Sequence, residues 1–111
     1  MDKKIQQCID DCNKCAEVCE ETLEHCKEMG GEHADPVHIS LMEDCIEICK
    51  TSESFMQRDS AHMEHICKEC AEICEECADS CESIDPRSDK MMASVEACRA
   101  CAKSCREMTE E

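Results

Sequence analysis

Cysteine is the residue whose abundance and spacing point to chemistry in this chain. Fifteen of the 111 residues are cysteine. The stretch HICKECAEICEECADSC, residues 65–81, contains five of them and has no aromatic residue, glycine or proline. Side chains three or four residues apart on a helix have Cβ atoms about 5–6 Å apart. Two such sulfur atoms can turn toward one metal ion lying between them.

The same spacing recurs along the chain. CxxxC occurs at residues 8–12, 15–19, 45–49, 70–74, 77–81 and 101–105. CxxC occurs at residues 12–15, 67–70, 74–77 and 98–101. This repetition indicates one extended set of thiols along several helices.

The redox state of these cysteines follows from their context. In a short secreted chain, this density would be typical of a disulfide framework. However, the N-terminal segment MDKKIQQCIDDCNKC lacks the apolar run of a signal peptide, and an odd number of cysteines leaves at least one thiol unpaired. We therefore expect a cytoplasmic protein with reduced thiols that bind metal.

Net charge excludes several classes of partner. The formal charge is −16, from 28 acidic and 12 basic residues, whereas binding to nucleic acid depends on lysine and arginine. No apolar run approaches the ~20 residues needed to cross a bilayer. We therefore expect neither nucleic acid nor membrane as a partner. The length of the chain predicts a single domain over residues 1–111.

Few residues interrupt the helical pattern. The glycine pair at 30–31 predicts the end of a first helix. The Asp-Pro pairs at 35–36 and 85–86 predict helix starts, with aspartate as N-cap and proline in the first turn. Ser60 or Asp59 is expected to cap the remaining helix. The predicted helices are 2–28, 36–57, 60–83 and 87–109, and their short connections are typical of an all-α, antiparallel four-helix bundle.

A heptad pattern places the cysteines on the inner faces of these helices. With Cys67 at position a, Cys74 and Cys81 are also a, while Cys70 and Cys77 are d. The same alternation in the other helices puts every cysteine at a or d, with aliphatic residues on the flanks. The expected metal ligands are Cys8, Cys12, Cys15, Cys19, Cys26, Cys45, Cys49, Cys67, Cys70, Cys74, Cys77, Cys81, Cys98, Cys101 and Cys105.

Aligning the antiparallel helices predicts six layers of a and d side chains. Cys8 is expected at the level of three methionines at one end, and Ser52 in the next layer. The two central layers are expected to be all cysteine: Cys15, Cys49, Cys70 and Cys101, then Cys19, Cys45, Cys74 and Cys98.

Ion charge and coordination favour copper(I) among the soft metals that thiolates select. Fifteen buried thiolates would be very costly, so the metal-free thiols should be neutral, and each copper(I) can displace one proton without changing the charge of the core. Zinc prefers four ligands, so the same thiols would hold far fewer zinc ions. We expect a non-enzymatic protein that stores multiple Cu(I) ions, because no nucleophile with an adjacent base is recognisable.

Other interpretations remain open at this point. One or two free cysteines in a bundle core need no function, but fifteen along the inner faces are not explained by packing. A metallothionein-like protein that buffers zinc or several metals is the main alternative, and an iron–sulfur electron-transfer protein is a further one. The ferredoxin run C-x2-C-x2-C-x3-C-P is absent.

Repeated CxxxC and CxxC motifs on four helices, as in CAEICEECADSC, resemble those of the four-helix-bundle, cysteine-rich copper storage proteins, and the chain is similar to their cytosolic branch. The resemblance extends from Cys8 to Cys105. It implies storage of many copper(I) ions on inward cysteines, methionine and histidine near one mouth of the bundle, and often a homo-oligomer. We also expect that a copper chaperone or a small thiol delivers the copper ions.

The two ends of the bundle differ in sequence. One end carries methionines with Ile5 and Phe55, and is expected to be closed. The other carries His38, Met42 and Met91 on the inner faces. We expect these three residues to be weak, neutral ligands through which copper enters, whereas His25, His62 and His65 are expected to be solvated.

Overall fold

The computed structural model describes residues 2–109, which form four long α-helices and one short 3-10 helix. The α-helices are α1 (Lys3–Met29), α2 (Pro36–Gln57), α3 (Met63–Ile84) and α4 (Asp89–Thr109), and the 3-10 helix spans Gly31–Ala34. Each α-helix packs against the next one along the chain, and α4 packs against α1, in a bundle of 42 × 20 × 19 Å. The predicted all-α, antiparallel four-helix bundle is confirmed.

The helix ends on both sides of the α1–α2 connection form as predicted. Gly30 has a φ of 69°, which favours glycine, and its N–H donates to the carbonyl of Cys26 at 3.2 Å. The Asp35 carboxylate accepts hydrogen bonds from the N–H groups of Val37 and His38 at the start of α2. This N-cap fixes the helix turn that carries His38 into the bundle.

The predicted start of α4 at Asp85-Pro86 is wrong. Asp85 instead ends α3, because its N–H donates to the carbonyl of Cys81 at 3.2 Å and its carboxylate contacts His33 Nε2 at 3.1 Å. Ser88 performs the capping role, since its hydroxyl accepts from the N–H of Met91 at 3.3 Å. The helix α4 therefore begins at Asp89.

The start of α3 is also later than predicted. Asp59 and Ser60 lie in a turn, and α3 begins at Met63. The Ser60 hydroxyl accepts from the N–H of His62 at 3.1 Å, so it stabilises the turn before the helix rather than the helix itself. Asp59 has a φ of 53°, which is incompatible with an N-cap position.

The centre of the bundle is filled by sulfur. All fifteen cysteines are fully buried, together with Met42 and Met91 at one end and Met56 at the other. Aliphatic side chains such as Val95 and Leu23 pack around this sulfur-rich core. Among the described residues, no helix has the length and apolar character needed to cross a membrane.

Candidate metal centre

Sulfur–sulfur contacts begin near the start of α1 and the end of α4. Cys8 Sγ lies 3.5 Å from Cys105 Sγ, and Cys105 Sγ also lies 3.9 Å from Cys12 Sγ. Cys12 Sγ in turn lies 3.5 Å from Cys101 Sγ. The thiols of two antiparallel helices thus alternate along their contact, which is how residues at a and d positions interlock.

The contacts continue through the middle of the bundle and involve all four helices. Cys49 Sγ lies 3.8 Å from both Cys70 and Cys101 and 3.7 Å from Cys74. Cys45 Sγ lies 3.7 Å from Cys74 and 3.8 Å from Cys98. Cys15 Sγ lies 3.7 Å from Cys98 and 3.9 Å from Cys45. A continuous path of thiols therefore runs from Cys8 past Cys98.

The sulfur atoms form several groups, and the members of each group are close enough to bind the same ion, since they all lie within 4.8 Å of one another. Each group draws on three helices, so only the folded bundle assembles it. The four-thiol groups are Cys12, Cys70, Cys101 and Cys105; Cys15, Cys45, Cys49 and Cys74; Cys15, Cys19, Cys45 and Cys98; and Cys49, Cys70, Cys74 and Cys101. Cys8, Cys67 and Cys105 form a three-thiol group.

The flat layers predicted from the sequence are staggered in the structure. Cys8 was expected beside methionines only, but it lies with Cys67 and Cys105. Similarly, Cys15 was expected level with Cys101 and instead has its α4 contact with Cys98, at 3.7 Å. The contacts of α2 with α3 follow the predicted layers more closely. Staggering lets each sulfur touch thiols above and below it, which joins the groups.

Burial raises the pKa of one cysteine near each end of the bundle. At one end, burial and the nearby Cys81 raise the pKa of Cys26 to about 11. At the other end, the hydrogen bond with Cys105 lowers the pKa of Cys67, but the hydrogen bond with Cys8 and burial outweigh it and raise the pKa to about 12. Both groups are neutral thiols at pH 7, as expected for sulfur removed from water.

Histidine and methionine meet one cysteine at the end formed by the α1–α2 connection. Cys26 Sγ lies 3.5 Å from His38 Nε2, 3.5 Å from Met91 Sδ and 4.0 Å from Met42 Sδ. His38 Nδ1 contacts the Ser80 hydroxyl at 2.7 Å, which orients the ring. The three residues predicted near the mouth are thus brought together, but they are buried beneath the surface rather than open to solvent.

A surface cavity reaches this cluster. Its lining includes Gly31, Asp35, His38, Ser80 and Ile84, so the only candidate ligand that it touches is His38. Burial lowers the pKa of His38, and the nearby His33 lowers it further against the opposing effect of Asp35. A neutral imidazole is the form that binds a metal ion. The cavity therefore borders His38, and His38 in turn contacts Cys26.

Sequence reasoning missed a histidine pair beside this cavity. His25 was expected to be solvated, but its Nε2 is buried without a hydrogen-bond partner and its ring lies edge-on to His33 at 5.8 Å between centroids. His62 and His65 are exposed as predicted. The 3-10 helix carries His33 back over α1, and no periodic pattern in the sequence signals that fold-back.

Besides His38, three residues with hydroxyl groups interrupt the inner faces of the helices. The Thr22 hydroxyl donates to the carbonyls of Val18 and Lys90, and the Ser94 hydroxyl lies 3.7 Å from Cys19 Sγ. In contrast, the fully buried Ser52 hydroxyl has no hydrogen-bond partner. An unpartnered buried hydroxyl destabilises the fold.

The pattern of buried thiols in a four-helix bundle agrees with a known family. The family model described as "Copper storage protein" matches residues 1–110. This chain belongs to the copper storage protein family. The resemblance inferred from the cysteine motifs is confirmed.

Solved structures support the same assignment. The protein Nmul_A1745 from Nitrosospira multiformis is 44% identical, with a TM-score of 0.90 over 98% of this chain and 97% of that chain. The Cu(I)-bound copper storage protein BsCsp3 of Bacillus subtilis is 34% identical, with a TM-score of 0.89 over 97% of this chain and all of that chain. A cytosolic copper storage protein from Streptomyces lividans, loaded with copper, is 22% identical and shares the fold, with a TM-score of 0.83 over 96% and 92% of the two chains.

The unpartnered hydroxyl of Ser52 makes a stability prediction. Replacing Ser52 with alanine should raise the free energy of unfolding of the metal-free, reduced protein by about 1 kcal/mol, because it removes a buried polar group that gains no hydrogen bond. Chemical denaturation under anaerobic conditions measures this change. Ser94→Ala is the matched control and should destabilise the protein, since Ser94 contacts Cys19. A loss of stability in Ser52→Ala equal to that in Ser94→Ala would show that the Ser52 hydroxyl is not destabilising.

Proposed function

We propose that this protein stores copper(I) in the cytoplasm on the thiols of its fifteen cysteines, as a single domain over residues 1–111. The observation that carries the proposal is the continuous set of sulfur contacts of 3.5–4.0 Å along the centre of the bundle. Adjacent ions can share bridging thiolates along such a path. The relative BsCsp3 is a copper storage protein with Cu(I) bound, which supports the same cargo here.

Charge balance supports copper(I) as the cargo. Cys26 and Cys67 are neutral thiols in the metal-free protein, and one monovalent ion replaces one proton. The net charge of the core then stays constant as ions are added. Filling can continue toward one ion for each cysteine without adding a buried charge.

Zinc buffering is the second candidate, because four thiols within 4.8 Å suit a tetrahedral ion. The groups share cysteines, however, which limits how many can be filled together. At most two of the four-thiol groups can be chosen without sharing a cysteine. These two and the three-thiol group together would hold three divalent ions at most. Copper and zinc storage therefore differ several-fold in capacity.

We propose that copper enters through His38, Met42 and Met91. The surface cavity reaches His38, and all three residues contact Cys26, the first thiol on that side. Histidine and methionine are neutral ligands that bind Cu(I) more weakly than thiolates do, so an ion can pass from them to the cysteines. A copper chaperone or a small thiol carrying Cu(I) is the proposed donor at this mouth.

The free cysteines support a cytoplasmic location. All fifteen cysteines are free thiols, a state that the reducing cytoplasm maintains. The Streptomyces lividans protein with this fold is described as cytosolic. We propose storage without catalysis, and self-association of the bundle into a homo-oligomer as an accompanying property.

Copper capacity is the first prediction from this proposal. Anaerobic titration of the reduced, metal-free protein with Cu(I) against a competing chelator should give tight binding well above three ions per chain and approaching fifteen, because bridging thiolates each serve two ions. Metal and thiol counts on the isolated complex give the stoichiometry. Saturation at two or three ions, or preferential retention of zinc in a mixed titration, would favour zinc buffering instead.

The entry path makes a kinetic prediction. The double variant His38→Leu/Met42→Leu should load copper several-fold more slowly from a Cu(I) chelate and reach the same final thiolate-bound content. Stopped-flow absorbance at the copper–thiolate band measures the rate. Met56→Leu, which changes a buried methionine at the opposite end, is the control. An unchanged rate in the double variant, or equal slowing in the control, would rule out this path.

A further inference from the structure

The three-thiol group at the end of the bundle that carries Met56 differs in composition from the rest of the core. Cys8, Cys67 and Cys105 come from α1, α3 and α4, and their sulfur atoms lie within 4.8 Å of one another. Cys8 and Cys105 are already in contact at 3.5 Å. The fourth helix, α2, supplies no thiol at this end, because Ser52 and Met56 occupy its inner positions after Cys49.

Methionine side chains pack at this end of the bundle. Met56 is buried, and Met63 and Met108 pack against the core. A thioether has no proton to lose and cannot replace hydroxide on a metalloid. The triad therefore offers three ionisable sulfurs, and the nearby thioethers do not compete for the metalloid.

When all three thiols are deprotonated, the net charge of the complex determines which ion they bind favourably. A divalent ion on three thiolates leaves a buried charge of about −1, whereas a trivalent ion leaves none, and uncompensated buried charge is strongly unfavourable. Soft thiolates select soft ions among trivalent ones. Trivalent arsenic fits both requirements and forms three bonds in a pyramid, with a lone pair on the fourth side.

We propose that the Cys8–Cys67–Cys105 triad binds trivalent inorganic arsenic as a neutral tris-thiolate. Arsenous acid reacts as As(OH)₃ + 3 RSH → As(SR)₃ + 3 H₂O. Three As–O bonds are replaced by three As–S bonds, each thiol proton leaves in a water molecule, and no oxidation occurs. The net charge of the core is unchanged, as in the exchange of a proton for copper(I).

The lone pair and the access route favour this triad over the four-thiol groups. In a four-thiol group, one thiol would remain protonated against the arsenic lone pair, whereas the triad is a group of three thiols only. A surface groove lined by Asp2, Ile5, Met56 and Asp59 lies at this end. Ile5 precedes Cys8 by three residues, which is about 4.5 Å along the helix. The groove therefore lies about one helix turn from Cys8, on the side from which a small, neutral arsenous acid molecule would approach.

The test is anaerobic titration of the reduced, metal-free full chain with sodium arsenite at pH 7. Arsenic retained after gel filtration and the number of free thiols are counted on wild type, Cys8→Ser and Cys67→Ser. Cys81→Ser is the matched control, because it removes a buried thiol that belongs to none of the groups. Circular dichroism confirms that each variant retains its helices, and arsenic anomalous scattering from co-crystals of the wild type locates the bound atom.

The expected result is one tightly held arsenic per chain, a loss of three free thiols, and affinity at least tenfold weaker in Cys8→Ser and Cys67→Ser but unchanged in Cys81→Ser. The anomalous peak should lie between the three sulfurs. Failure to retain arsenic, equal affinity in all variants, or a peak in a four-thiol group would overturn the proposal. The outcome is independent of copper storage, which the copper titration of the same wild-type sample tests separately.

Discussion

The exclusion of water from fifteen thiols is the constraint on which the rest of the structure depends. A buried thiolate is costly, so the metal-free core is stable only while its sulfurs remain protonated. Burial contributes in this way to the raised pKa values of Cys26 and Cys67. Any ion that enters must therefore replace protons in a way that leaves the core nearly neutral, and copper(I) does so at every step.

The fold supplies this environment with little help from large side chains. Phe55 is the one aromatic residue in the sequence, and it lies toward the surface under the Arg58 guanidinium rather than in the centre. Small residues such as Ala71 and Ala78 allow close packing between helices, and aliphatic flanks keep water from the sulfur path. The polar surface carries the large negative charge, so the bundle separates an acidic exterior from a neutral, sulfur-filled interior.

Much of the bundle and its thiol core could be predicted because both follow from a local repeat. A step of three and four residues determines which face of a helix is buried, and it placed all fifteen cysteines in the core correctly. The glycine at the end of α1 and Asp35 at the start of α2 act through contacts within a few residues, so they were also recognisable. The family assignment rested on the same motifs.

Features that depend on contacts distant in sequence were not recognisable. Asp85 resembles an N-cap, but its carboxylate contacts His33, which lies 52 residues earlier, and Ser88 caps α4 instead. The sliding of α1 relative to α4, which brings Cys8 to Cys105, depends on how whole helix surfaces interlock. The burial of the His25 Nε2 atom and the ring contact of His25 with His33 depend on the path of a loop. None of these has a local signal.

Proton release during copper binding is the most direct test of the central claim. Cu(I) is added anaerobically to the reduced protein at pH 7 in dilute buffer with a pH indicator, and the release is corrected for protons exchanged by the chelator. Charge-neutral exchange predicts about one proton for each copper ion over most of the titration. Release near zero would mean that the thiolates are already formed in the metal-free core, and release near two would mean that each ion carries two buried thiolates. Either result would contradict charge-neutral filling of the core.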